Sequence, residues 1–241
     1  HKKDEETNIY IDNMIDNPEI IPVISISNKN GTNINNLHKI IYKCNLHNKW
    51  KKPLDNGSIV YIDSDFNVPG IGLVVSGSIK GNDISVKQKM YIGPKDGKFY
   101  PVTVRSIHNS IRESVDTIGP NVQGCFAIKF VNPKEAIARE NIIKGFVLVD
   151  SIDSWSKNIV SSFTARVTIL HHSTTIRNGY SPVLHCGPIR QAAFMRIKDE
   201  SNHLKSQDSA IVDFTFKHHK EFVEEKMIFF FRDGNTKGVG E

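Results

Sequence analysis

The chain has 241 residues, of which 39% are hydrophobic and 24% charged, an ordinary balance for a folded globular protein of one to three small domains. No apolar run approaches the ~20 residues that span a bilayer, no secretory signal is evident, and the chain opens at His1 rather than Met, so it reads as a fragment or a processed chain. Three scattered cysteines, Cys44, Cys125 and Cys186, argue against a disulfide framework and fit a reducing, cytoplasmic setting, while a net charge of +5 permits an anionic partner without demanding one.

Residues 1–18 are polar and read as a surface segment. Residues 20–27 form an apolar run of the kind buried in a parallel sheet. A loop over 28–31 follows. Thr32 or Asn33 then caps a helix whose Ile34, Leu37, Ile40 and Ile41 fall on one face. This is a β-loop-α unit, assigned to residues 1–52. Residues 49–57 are a Pro- and Gly-bearing linker in which Trp50 is expected to dock on a neighbour.

Residues 57–150 read as all-β. Strand-like runs at 59–62, 72–75, 89–92, 100–107, 125–130 and 146–149 alternate with turn residues, a spacing that predicts a barrel. At 68–77 a Pro69-Gly70 turn leads into Leu73-Val74-Val75, and Gly77 suits a bulge or a close strand crossing. Residues 132–143 are a charged connector with helical tendency, and 150–159 a linker with Trp155 as an interdomain plug. Residues 160–241 predict a second barrel, with strands in 163–172, 179–187, 210–216 and 227–240.

The chain contains no G-x-x-x-x-G-K-[ST] sequence. It therefore lacks the loop that cradles nucleotide phosphates and places a lysine and a magnesium-binding hydroxyl. Tight GTP binding or hydrolysis is not expected of these residues. His171, His172, His185 and Cys186 raise zinc as an alternative. Neighbouring strand residues point to opposite faces, so four ligands cannot converge, and no metal is assigned. Cys125 lies in an apolar run and reads as core, not as a nucleophile. The Lys217-His218-His219-Lys220 loop is either a phosphate contact or a solvated tip.

Several motifs together resemble EF-Tu-like translational GTPases. They are Pro69-Gly70-Ile71-Gly72-Leu73-Val74-Val75-Ser76-Gly77, Met90-Tyr91-Ile92-Gly93-Pro94, the Gly179-to-Gln191 run and the Arg232-to-Gly240 ending. The last two are most similar to the eukaryotic GTP-binding protein one/two group, related to Hbs-type factors. The resemblance implies a mainly β fold. Two consecutive EF-Tu-like antiparallel barrels, residues 57–150 and 160–241, follow the last strand and helix of a P-loop GTPase domain. It also implies that Ser25, Ile26, Ser27 and Asn28 stand where the family keeps a guanine-contacting loop.

By position, Arg105, Ile107, His108 and Gln123 would line the pocket for the aminoacylated 3′ end of tRNA. The family has an acidic residue where Arg105 stands. Asp233 and Gly234 hold the positions of an acid-glycine pair that touches the tRNA T-stem. Two further family contacts are replaced by Val183 and Ala192, so Arg177, Arg190 or Lys237 would read that backbone instead. The implied function is the tRNA- and ribosome-interacting arm of an elongation-factor-like GTPase. GTP and magnesium would be bound, and GTP hydrolysed, by the full-length parent's upstream domain. Aminoacyl-tRNA, the ribosome and that upstream domain are the implied partners, with neither membrane nor DNA. A ribosome-rescue or mRNA-surveillance GTPase, or a protein-docking scaffold of the same architecture, is the alternative.

Overall fold

The computed structural model describes residues 23–44, 57–199 and 201–241. The chain divides into two units, His1–Lys51 and Lys52–Glu241. In the first, Ile34–Cys44 is a helix (α1) whose Ile34, Leu37 and Ile40 are half-buried, whereas Ile41 is exposed. The expected parallel strand is not formed over Val23 to Ser27. That segment pairs with no strand among the described residues, and residues 20–22 lie outside them. A buried strand exists only through ladder partners on its edges. Trp50 also lies outside the described residues.

The second unit begins with the hairpin that its sequence announces. Strand β1 (Ser58–Val68) runs into β2 (Gly72–Gly81) through Pro69-Gly70-Ile71, with Gly70 at φ +77. The pairing steps by one residue between Ile62 and Ser64, which leaves Asp63 in a bulge. Gly77 lies opposite Ile62 at that step, and a Cβ there would stand 2.1 Å from the Tyr61 carbonyl oxygen. The third glycine of the motif is thus required by space, not by its backbone angle.

Strands β3 (Lys89–Lys95), β4 (Lys98–His108), β5 (Gln123–Phe130) and β6 (Val147–Val149) complete the first barrel. The order is β3-β6-β1-β2-β5-β4, and β4 pairs back onto β3 to close the ring. Every pairing is antiparallel. Val60, Val75, Met90, Val102, Val104 and Phe126 are among the residues that fill the interior. The connector expected to be helical instead makes two 3-10 turns, Pro133–Glu135 and Arg139–Asn141, and sends Ile137 and Ile142 into the core.

The second barrel is built from β7 (Ser162–His171), β8 (Val183–Cys186), β9 (Ile189–Ile197), β10 (Ser209–Phe216), β11 (Phe229–Asp233) and β12 (Thr236–Gly240). It closes in the order β7-β10-β9-β8-β11-β12. Its core is aromatic. Phe214 stacks on Phe163 at 5.4 Å and meets Phe229 edge-on at 5.3 Å. Gly238 and Gly240 pair directly with Phe231 and Phe229, whose rings cover the two glycines. Among the described residues no helix is long and apolar enough to cross a membrane.

Between the barrels, a short helix α2 (Ile152–Trp155) is capped by Ser151 and delivers Trp155 into an apolar seam with Ile59, Phe99, Val147, Val149 and Phe222. Trp155 is 3% exposed and its indole N–H donates to Asp150 at 3.3 Å. Lys80 of β2 and Glu224 make a 2.9 Å ion pair across the same junction. Beside it, buried Gln191 donates to Glu221 at 2.6 Å and accepts from the His218 and His219 amides. Gly145 of the first barrel abuts the Glu221 carboxylate so closely that a Cβ would stand 2.4 Å from Oε2.

Burial lifts the Glu221 carboxyl from 4.5 to about 7. A carboxyl that holds its proton more firmly when folded contributes fully below about pH 4.5, and that contribution is lost as pH rises through its folded value. Glu221→Gln keeps the acceptor for Gln191 and removes the ionisation. It is therefore expected to reduce the fall in Tm between about pH 5 and pH 8, measured by thermal unfolding. An unaltered fall would show that Glu221 is not the group responsible.

Candidate nucleic-acid interface

On β4, Arg105 occupies a second bulge, between Val104 and Ser106, and its side chain is exposed. The bulge turns Ile107 inward, where it is 0% exposed in the barrel core. This corrects the expected role of Ile107, because a side chain enclosed by the core cannot touch a ligand. His108 is half-buried, between Ser114 and Cys125 in the ladder. Cys125 is also half-buried, not core as expected, whereas Cys186 is buried and its thiol is pushed up to about 12, chiefly by that burial.

Gln123 opens β5 and donates its Nε2–H to Asp63 Oδ2 at 2.6 Å, while Ser76 donates to Oδ1 at 2.8 Å. The bulged Asp63 is thus held from two sides at the surface. It also borders a cleft of about 290 Å³ between the barrels, with Lys144 on its own side and His185, Pro188 and Arg190 on the other. Gln123 is bonded to Asp63, and Asp63 and Arg190 both line this cleft.

From the cleft a cationic face continues over the second barrel. Strand register places Arg190 and Phe230 on either side of His185, and Ala192 and Arg232 on either side of Val183. Arg232 in turn faces Lys237, and Lys237 faces His171. Arg190, Arg232 and Lys237 are exposed and make no ion pair among the described residues. His185 is held below its ordinary 6.5, first by burial and then by the charges of Arg190 and Arg232. It is therefore neutral near pH 7 and offers a hydrogen bond instead of a charge.

The hairpin between β11 and β12 ends this face. Asp233 closes the turn opposite Thr236, and Gly234 takes φ +54. Asp233 accepts from the Tyr180 hydroxyl at 3.0 Å, and His172 meets Thr236 Oγ1 at 2.8 Å, so the turn is braced by side chains. His172 is committed to this structural role. Among the described residues no group of three or more His, Cys, Asp or Glu side chains could hold a metal ion. Arg177 stands apart, on a two-stranded ladder with His203. Asp63, Lys144, His185 and Arg232 were not singled out from the sequence as nucleic-acid contacts; the first two depend on a bulge and a loop, the last two on the β8-β11 register.

In the first unit, Ser25 accepts from Asn33 Nδ2 at 2.9 Å, and the Ser27 amide donates to Thr32 at 3.2 Å. Ile26 and Asn28 are exposed. The G-x-x-x-x-G-K-[ST] sequence that would cradle phosphates and place a magnesium-binding hydroxyl does not occur in these 241 residues.

The chain is 32% identical over 224 residues to GTP-binding protein 1 of Xenopus laevis, across 91% of its own length. It is 25% identical to GTP-binding protein 2 of Homo sapiens over 227 residues, 92% of its length. Elongation factor 1-alpha of Thermofilum pendens is 25% identical over 190 residues, 73% of the chain. The chain belongs to the EF-Tu-like translational GTPase family. The two closed antiparallel barrels are the EF-Tu-like architecture that the sequence predicts. This EF-Tu-like chain spans between 32% and 40% of the length of these relatives. No protein-family model matches it.

Proposed function

We propose that this EF-Tu-like chain is the tRNA- and ribosome-facing arm of an elongation-factor-like GTPase. The longer protein would bind aminoacyl-tRNA in a GTP-dependent way, in the cytoplasm. One observation carries the reading. Arg190, Arg232 and Lys237, with neutral His185 beside Arg190, lie on one face without ion-pair partners among the described residues, and that face runs into the cleft at Lys144. Unpaired guanidinium and ammonium groups along a convex barrel suit a phosphate backbone, which is recognised by charge and hydrogen bonding with little sequence information. Arg105, His108 and the Asp63–Gln123 pair on the first barrel are the groups we assign to the 3′ end. GTP and magnesium would belong to an upstream domain of the longer protein, which is also this arm's docking partner.

The test is binding of the longer protein, loaded with a non-hydrolysable GTP analogue, to aminoacylated and deacylated tRNA across a salt titration. A strong preference for the aminoacylated form is expected. Equal, weak binding to both would sink the carrier reading and favour ribosome rescue or protein docking, for which exposed Ile228 and Phe230 offer apolar contacts.

A further inference from the structure

A cavity of about 280 Å³ lies where the interbarrel linker meets the second barrel, and none of its lining residues belongs to the cationic face. Val160, Phe163, Met227 and Phe229 give it apolar walls. Two acceptors interrupt them. Asn158 donates its Nδ2–H to the Val223 carbonyl at 2.8 Å, but its carboxamide oxygen is buried without a hydrogen-bond partner. Glu224 takes Lys80 on Oε2 at 2.9 Å and has no second partner among the described residues. Burial raises the Glu224 carboxyl to about 7, so Lys80 does not fully compensate for its desolvation. The remaining charged lining, Lys157, Lys226, Glu225 and Glu241, is exposed and balanced in sign.

These features select a ligand class. An anion would meet the Glu224 carboxylate. A purely apolar group would leave the already buried Asn158 oxygen without a donor. A cation on a short hydrocarbon stem satisfies both acceptors and covers the apolar walls. We propose that this cavity binds an alkylguanidinium or alkylammonium group, its N–H donors on Asn158 and Glu224 and its stem against Val160, Phe163 and Phe229. The group could be a free amine or the end of an arginine or lysine side chain of a partner. Chemistry at Cys186, which also lines the cavity, is not involved, because its buried thiol stays protonated.

The 241-residue chain would be titrated with agmatine, with N-acetylarginine methylamide and with its neutral citrulline counterpart, following backbone amide NMR shifts. Both cations should shift amides around Asn158, Val160 and Glu224, with the citrulline analogue about tenfold weaker or worse. Cation binding should weaken as pH falls from about 8 to 6, because protonation removes the Glu224 charge. Glu224→Gln should weaken the cations about fivefold or more and abolish that pH dependence, and Asn158→Leu should weaken them similarly. Tighter agmatine would point to a free amine, and tighter blocked arginine to a partner's side chain. The proposal is overturned if citrulline binds as well as arginine, if the shifts fall elsewhere, or if neither cation binds. The first two comparisons use the unmodified chain and do not depend on a variant folding.

Discussion

Neutralising Arg190, Arg232 and Lys237 together to alanine is expected to weaken RNA binding by the longer protein about 30-fold or more at moderate salt, and to make its salt dependence shallower. Each lost phosphate contact removes roughly one unit of the slope of log affinity against log salt, so three contacts lower it by up to about three. The effect is large because these three cations have no carboxylate partner among the described residues to share. Charge alone is controlled by removing Arg166, Lys198 and Lys205 instead. Arg166 lies on β7 opposite Ile211 of β10, and Lys198 is already paired with Asp213 at 3.0 Å. The control triple should leave affinity within about threefold. If both triples weaken binding equally, the protein senses net charge and no face is specified.

The second large effect falls on the fold. Gly77→Ala is expected to destabilise the chain by about 3 kcal/mol, since its new Cβ meets a backbone carbonyl that can yield only if β1 and β2 separate. Gly72→Ala, in the same motif, has open space around it and only its φ of +99 to strain, for a loss of about 1–2 kcal/mol. Urea unfolding of the two variants separates the causes: a space-limited glycine loses clearly more than an angle-limited one. Equal losses would mean that the Ile62–Ser64 bulge relaxes to admit the methyl group.

Much of this architecture was legible in the chain. The alternation at Val102 and Val104, and the strict pattern from Ala210 to Phe216, fix which face is buried, and the structure keeps both. What was not legible turns on single residues that break a pattern. Unbroken alternation after Val104 puts Ile107 on the same side as Arg105. The bulge at Arg105 inserts one residue, and everything beyond it changes face. Strand β9 was hidden by Gln191, a polar residue at an inward position. It is tolerated because its amide oxygen takes the His218 and His219 amides while its nitrogen donates to His219 and Glu221. The connector after β5 misleads in the opposite way: its charges suit a helix, but Ile137 and Ile142 must both reach the core, and Pro133 starts a tighter turn. Arg232 and His185 join the cationic face only because β8 pairs with β11 across a long excursion of chain, a relation that no local spacing encodes.

The seam around Trp155 and Phe222 has a mechanical consequence. Apolar surface from the first barrel, the linker and Phe222 is enclosed together, and burying one such aromatic ring is worth about 1.5–3 kcal/mol. Hinging the barrels apart would expose all of it at once and break the Lys80–Glu224 pair as well. The seam and the ion pair thus oppose hinging between the barrels, so the Arg232–Lys237 face is tied to the β1-β2 hairpin by packing as well as by the linker.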